Sequence, residues 1–417
     1  MKPTSMITSL LLMALPVAVA HAGIKNVTAL SESTPYGQKV TAAAVEYDEP
    51  INNSTLSTDS FQVAGRTVTG VYATDRIASA SRPKSGKIVM IKLSPDDADA
   101  ALTVHEGHDP SVERKINLQV SQVKPLKAAK QRVVMPGKAQ SSRMVNEIVD
   151  DFKQAEFKDP ASGVTVKYNL FVPKNYDPKK RYPLVMFIHD AGATNSNVRN
   201  ALLQGDGATS FASPEFQAKH PAFVLAPQYD HTIVNDNSDD PVDLDPTINL
   251  IKQLERQYRI DDKRIYTTGQ SGGAMMSIAM NIKYPDFFAA SYIVAGQWAP
   301  EKTAPMAKNK LFILVSQDDA KAYPGENAIT EVLAKHGADV QKAVFADGSN
   351  IAQMNEETRR LLAKGGNVHY AAIRSGTLPD QVKDPNSTNK GQAHVGTWKV
   401  AYDIAAIRDW LFSQRKP

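Results

Sequence analysis

The sequence predicts a two-part chain: an all-β sandwich in front, then a mostly parallel sheet with helices on both faces. Three observations predict it. From about Gly23 to Pro136, short β-prone runs are separated by Asn, Asp, Ser, Pro and Gly clusters, the spacing of a sandwich. From residue 147 onward, continuous apolar runs alternate with helical patterns, as buried parallel strands and their crossover helices should. Residues 137–146 between them are small and polar and are expected to be a linker.

Composition narrows the function. The chain has 417 residues, 42% hydrophobic and 22% charged, ordinary for a globular protein with a large core. The net charge of +4 is too mild to point to nucleic acid. There is no cysteine, which removes thiol nucleophiles, cysteine-based metal sites and disulfides. Met1-Lys2, the apolar run Ile7 to Ala20 and the small-x-small end Ala20-His21-Ala22 predict a signal peptide over 1–22, cut before Gly23. The alternative is a retained anchor, for which the apolar run is short. The mature protein is then expected to be exported, periplasmic or secreted, with no stable membrane span.

In the front part the expected strands include Val40 to Tyr47, Arg66 to Tyr72, Lys87 to Leu93 and Ile116 to Val120. Behind the linker, Val164 to Val172, Pro183 to His189, Phe223 to Pro227, Ala289 to Val294, Leu311 to Val315 and Val368 to Ile373 read as strands. Thr247 to Tyr258 carries Ile248, Leu250, Ile251 and Leu254 at helical spacing. Ala328 to His336 and Trp398 to Phe412 also read as helices.

The centre of the second part is Gly269-Gln270-Ser271-Gly272-Gly273. An apolar β-prone run leads into it and a small, Met-rich helical run leaves it. Strand, sharp turn and helix raise the Ser271 hydroxyl, and the glycines allow neighbouring backbone to come close. The Gly272 N–H would lie at a helix N-terminus, where it can face an anion. The stretch resembles the nucleophile elbow of an α/β-hydrolase.

That resemblance implies a chain order of Ser, acid, His, with the acid after the second strand beyond the elbow. Ser316-Gln317-Asp318-Asp319 stands there. It looks like the small-x-x-Asp turn of the family, which implies Asp319, with Asp318 as the alternative. Of nine histidines, His394 lies after the expected last strand, in what reads as a loop before the final helix. His189-Asp190-Ala191-Gly192 is similar to the His-Gly-x-Gly turn of esterases and implies Ala191 as the oxyanion-hole partner of Gly272. Asp190 departs from the glycine usual there, and its carboxylate should face away from the oxyanion.

Together these motifs resemble secreted bacterial esterases of the polyhydroxybutyrate-depolymerase, feruloyl-esterase and peptidase-like group, in the form with an immunoglobulin-like domain in front. Val45-Glu46-Tyr47-Asp48 and Leu56-Ser57-Thr58-Asp59-Ser60-Phe61 carry the front-domain likeness. The resemblance implies the domains 23–136 (immunoglobulin-like) and 147–417 (α/β-hydrolase). It also implies a serine carboxylesterase with Ser271, Asp319 and His394 as triad, needing no cofactor or metal and acting on a small or polymeric ester. A peptidase or amidase, a polyester depolymerase, and a non-catalytic surface-binding protein on this scaffold are the alternatives. Trp298 and Gln270 are the expected substrate-pocket residues. Asn235 to Asp245 is acidic but lacks the ligand spacing of a calcium loop. It is expected to be a solvated loop ending in an Asp245 N-cap, with Pro246 opening the helix.

Overall fold

The computed structural model describes residues 23–104, 110–129, 132–378 and 391–417. The expected signal peptide lies outside the described residues. No helix among them is long and apolar enough to cross a membrane.

The front region is built of β1 (Ile24–Thr34), β2 (Gly37–Ile51), β3 (Phe61–Val63), β4 (Val68–Thr74) and β5 (Gly86–Leu93). The two-residue strands β6 (Thr103–Val104) and β7 (Val112–Glu113) follow, then β8 (Gln119–Gln122), β9 (Leu126–Lys127) and β10 (Val133–Val134). Residues 137–146 are not a linker. They form β11 (Gly137–Gln140) and β12 (Arg143–Asn146), and β11 pairs antiparallel with β8. Their small polar residues suit half-exposed edge strands, which sequence pattern alone does not separate from a linker. The sheets run β12-β1-β2-β5-β4 and β11-β8-β3. Buried Tyr47 gives its hydroxyl to Gln122 Oε1 at 2.9 Å, so this polar pair costs little inside the sandwich.

The chain divides into two compact units, but not at one point in the sequence. Of the described residues, the first takes in those up to Thr28 with Ala43–Leu93 and Leu118–Ser142; the second takes in those of Ala29–Ala42, Ser94–Asn117 and Arg143–Pro417. Within the second unit, Ser111 explains why its segment belongs there. Its carbonyl accepts from Asn195 Nδ2 at 2.8 Å and its hydroxyl donates to Asn200 Oδ1 at 2.6 Å.

The second unit holds a nine-stranded sheet. Its strands are β13 (Lys153–Lys158), β14 (Thr165–Phe171), β15 (Tyr182–Ile188), β16 (Phe223–Gln228), β17 (Ile260–Gln270), β18 (Ala290–Val294), β19 (Leu311–Ser316), β20 (Val340–Val344) and β21 (Val368–Ile373). The order is β13-β14-β16-β15-β17-β18-β19-β21-β20. Pairing is antiparallel for β13–β14–β16 and parallel from β16 to β20. Every residue of β15, β16, β18, β19 and β21 is buried, as their mainly apolar runs require.

The helices are α1 (Asn200–Leu203), α2 (Thr209–Ala212), α3 (Pro214–Lys219), α4 (Leu244–Gln257), α5 (Gly272–Lys283), α6 (Ala322–Lys335), α7 (Ile351–Leu362), α8 (Gly391–Ala401) and α9 (Ala405–Ser413). The expected helix Trp398 to Phe412 is thus two, broken between Ala401 and Ala405. The cap of α4 is Asp243, not Asp245. Asp245 sits in the first turn, where Lys283 Nζ and the Tyr284 hydroxyl both donate to it at 2.9 Å.

Candidate active site

The parallel register brings four strand ends to one edge of the sheet. Ile188 stands beside Gly269, Gln270 beside Val294, and Val294 beside Leu314. The turns leaving β15, β17, β18 and β19 therefore share one rim, where ligands bind in such sheets.

Ser271 is held at φ 51°, ψ −118° between β17 and α5, a conformation that costs a non-glycine residue energy. The flanking glycines make it possible. A β-carbon on Gly269 would lie 2.8 Å from the Ile188 carbonyl oxygen, and one on Gly273 would lie 2.0 Å from the same atom. No side chain fits there.

The Ser271 hydroxyl donates to His394 Nε2 at 2.8 Å. His394 Nδ1–H donates to Asp319 Oδ2 in a short hydrogen bond. Asp319 Oδ1 accepts the backbone N–H groups of Lys321 (3.1 Å) and Ala322 (2.9 Å). An ionised carboxylate only accepts, so the imidazole carries its proton on Nδ1 and leaves Nε2 free to accept from the serine. Burial works to raise the Asp319 carboxyl, but His394 and the two N–H groups outweigh it and hold it below its ordinary value. Asp318, the alternative acid, turns elsewhere and accepts from Gly376 N at 2.7 Å.

His394 is not in a loop. It lies in the first turn of α8, edge-on to Trp398, with ring centroids 4.9 Å apart. Gly391 and Gly396 disguise this helix in the sequence, because glycine is a poor helix former.

The Asp190 carboxylate is held from two sides. Its Oδ1 accepts from Gly192 N and its Oδ2 from Gln270 Nε2, both at 2.8 Å. Its φ of −74° needs no glycine, and its side chain caps the short turn Ala191–Ala193 instead. The two candidate oxyanion donors lie close together: a β-carbon on Gly272 would be 3.6 Å from Ala191 N. Burial pushes the His189 imidazole down. Its Nδ1–H donates to the Asp190 carbonyl at 2.7 Å and its Nε2 accepts from Tyr229 N at 3.1 Å, so it stays neutral and props the turn.

Above Ser271 opens a cavity of ≈ 600 Å³ lined by Ala191, Thr232, Val234, Asn235, Asp236, Gly272, Met275, Gln297, Asp319, Ala320, Lys321 and His394. Neither expected pocket residue lines it. Trp298 is 5% exposed and packed into the core; its neighbour Gln297 meets the cavity instead. Gln270 is 3% exposed and spent on Asp190. Behind the wall, buried Glu326 accepts from Gly296 N at 2.9 Å, and burial raises its carboxyl well above the ordinary value. Among the described residues no group of three His, Asp or Glu side chains is placed to hold a metal ion. Gln297 and Lys321 carried no motif, and Asp236 lay in the acidic stretch expected to be a solvated loop. Only their position next to strand ends could have flagged them.

A mostly parallel sheet with a serine raised on a strand–helix turn defines the α/β-hydrolase class. Two family profiles then match the chain: the esterase Ig-like N-terminal domain over residues 26–135 and the esterase PHB depolymerase over residues 166–329. The chain belongs to this esterase family, in the form with an immunoglobulin-like domain in front. A crystal structure of a thermostable esterase is similar along 94% of this chain and 100% of its own, with 28% identity and a TM-score of 0.80. Feruloyl esterase C of Emericella nidulans is 28% identical over 131 residues, 31% of this chain and 46% of that protein. Acetylxylan esterase A of the same organism is 44% identical over 48 residues, 12% of this chain and 16% of that protein. The chain thus spans less than half the length of these curated relatives.

Proposed function

We propose that the protein is an exported serine carboxylesterase that works through an acyl-enzyme. The hydrogen-bonded series Ser271–His394–Asp319 carries this reading. His394 Nε2 takes the serine proton as Oγ attacks the ester carbonyl carbon. Asp319, kept ionised, holds the imidazole and stabilises its charged form. The Gly272 and Ala191 N–H groups receive the negative oxygen. Collapse of the intermediate expels the alcohol with the proton from His394. The same imidazole then takes a proton from water, whose oxygen attacks the acyl carbon; the bond from that carbon to Ser271 Oγ breaks, the acid leaves, and Oγ takes the proton back from His394. None of these steps calls on a metal or cofactor.

Ser271→Ala is expected to lower kcat on nitrophenyl esters by at least ~10³-fold with an unchanged melting temperature. Near-normal turnover in that variant would refute the assignment. A fluorophosphonate probe should label Ser271 in the unmodified protein and not in the variant. Rates on nitrophenyl esters against peptide anilides separate esterase from amidase.

A further inference from the structure

The cavity above Ser271 is lined by apolar Val234, Met275 and Ala320 and by charged Asp236 and Lys321. At the rim one carboxylate ties three loops. Asp236, on the loop after β16, accepts from Gln297 Nε2 through Oδ1 at 3.0 Å. Through Oδ2 it accepts from Lys321 Nζ at 2.6 Å. Gln297 follows β18 and Lys321 follows β19. Both charged side chains are about two-thirds exposed, 64% for Asp236 and 68% for Lys321. Such a pair contributes little to stability. Its consequence lies in what it shows to an entering molecule.

The other titratable lining groups, Asp319 and His394, face each other. Among the described residues Lys321 is therefore the one lining lysine or arginine, and Asp236 is what cancels it. The hydrogen bond from Lys321 holds the Asp236 carboxyl below its ordinary value, so that carboxylate is ionised at neutral pH. We propose that the Asp236–Lys321 pair, fixed by Gln297, makes this cavity select esters that carry no charge on the group bound there. The inference rests on the ester-hydrolase reading and deepens it: it assigns a neutral, partly apolar substrate class and the residues that enforce it.

The test uses three nitrophenyl esters of similar length on the full chain: butyrate (neutral), hemiglutarate (anionic) and 4-(trimethylammonio)butyrate (cationic). Asp236→Asn keeps the shape and the Gln297 bond but frees the lysine charge. The anionic-to-neutral ratio of kcat/KM should then rise about five- to twenty-fold at low ionic strength and shrink with added salt. Lys321→Met should raise the cationic-to-neutral ratio instead, and the double variant should return both ratios towards those of the unmodified protein. Ratios that stay within about twofold in both single variants, while butyrate is still hydrolysed, overturn this inference alone. If the unmodified protein hydrolyses none of the three esters, the hydrolase reading falls and this one falls with it.

Discussion

At the elbow, a β-carbon on Gly273 would sit 2.0 Å from the Ile188 oxygen. At the rim, Lys321 and Asp236 meet through side chains mostly in solvent. The first region is held by backbone against backbone and leaves no freedom to change a residue. The second is held by exchangeable side chains on loops. Chemistry and selectivity thus sit in one cavity but tolerate substitution very differently.

The sharpest way to break that contrast is Gly273→Ala. It must push β15 and α5 apart, so activity should vanish and stability should fall by roughly 3 kcal/mol or more. A melting curve and an ester assay check both. If the variant melts normally and turns over, the elbow is not backbone-limited. One step outward stands Gln270, which ties the elbow to the Asp190 turn. Gln270→Leu should lower kcat by about 10- to 100-fold with little change in KM. Gln270→Glu places a second carboxylate against Asp190 and should do no better. A matching loss of affinity for a trifluoromethyl ketone would mark Gln270 as a positioning residue; equal losses in kcat and in product binding would mark general loosening.

A smaller effect lies at buried Asp206. Burial first, then the charge of Asp403, pushes its carboxyl up to about 7, against ~3.9 in an unfolded chain. Between those two values the folded state holds a proton that the unfolded state has lost. Stability therefore falls as pH rises through that window and is lowest, from this group, above it. Asp206→Asn should raise the melting temperature by about 2–4 °C at pH 8 and by less at pH 4. A rise independent of pH would remove the argument. Smallest of all, Lys321→Met should shift stability by no more than about 0.5 kcal/mol, whatever it does to charge selectivity.

Much of this was readable before folding. The strands β15, β16, β18, β19 and β21 are mainly apolar runs, and a buried strand needs little but its own residues to show itself. The elbow is readable for the same reason: the strained serine and its glycines are adjacent. The order Ser271, Asp319, His394 came from the resemblance to the hydrolase elbow, which says where along the chain to look for the acid and the histidine. Strand β20 and helix α7 were missed. The first is an edge strand with mixed burial, and the second has polar residues over most of its surface.

Local backbone demands, such as a turn without room for a β-carbon or a strand apolar on both faces, are written in neighbouring residues, so the chain alone carries the sheet and the raised serine. The Asp236 partners lie 61 and 85 residues away, and Gln270 reaches a carboxylate 80 residues back. Those pairings depend on how far each loop extends over the sheet edge. Trp298 and Gln297 differ by one position, yet one is core and the other meets the cavity. A side chain's choice between interior and cleft comes from the walls around it, and these walls come from loops scattered along the chain.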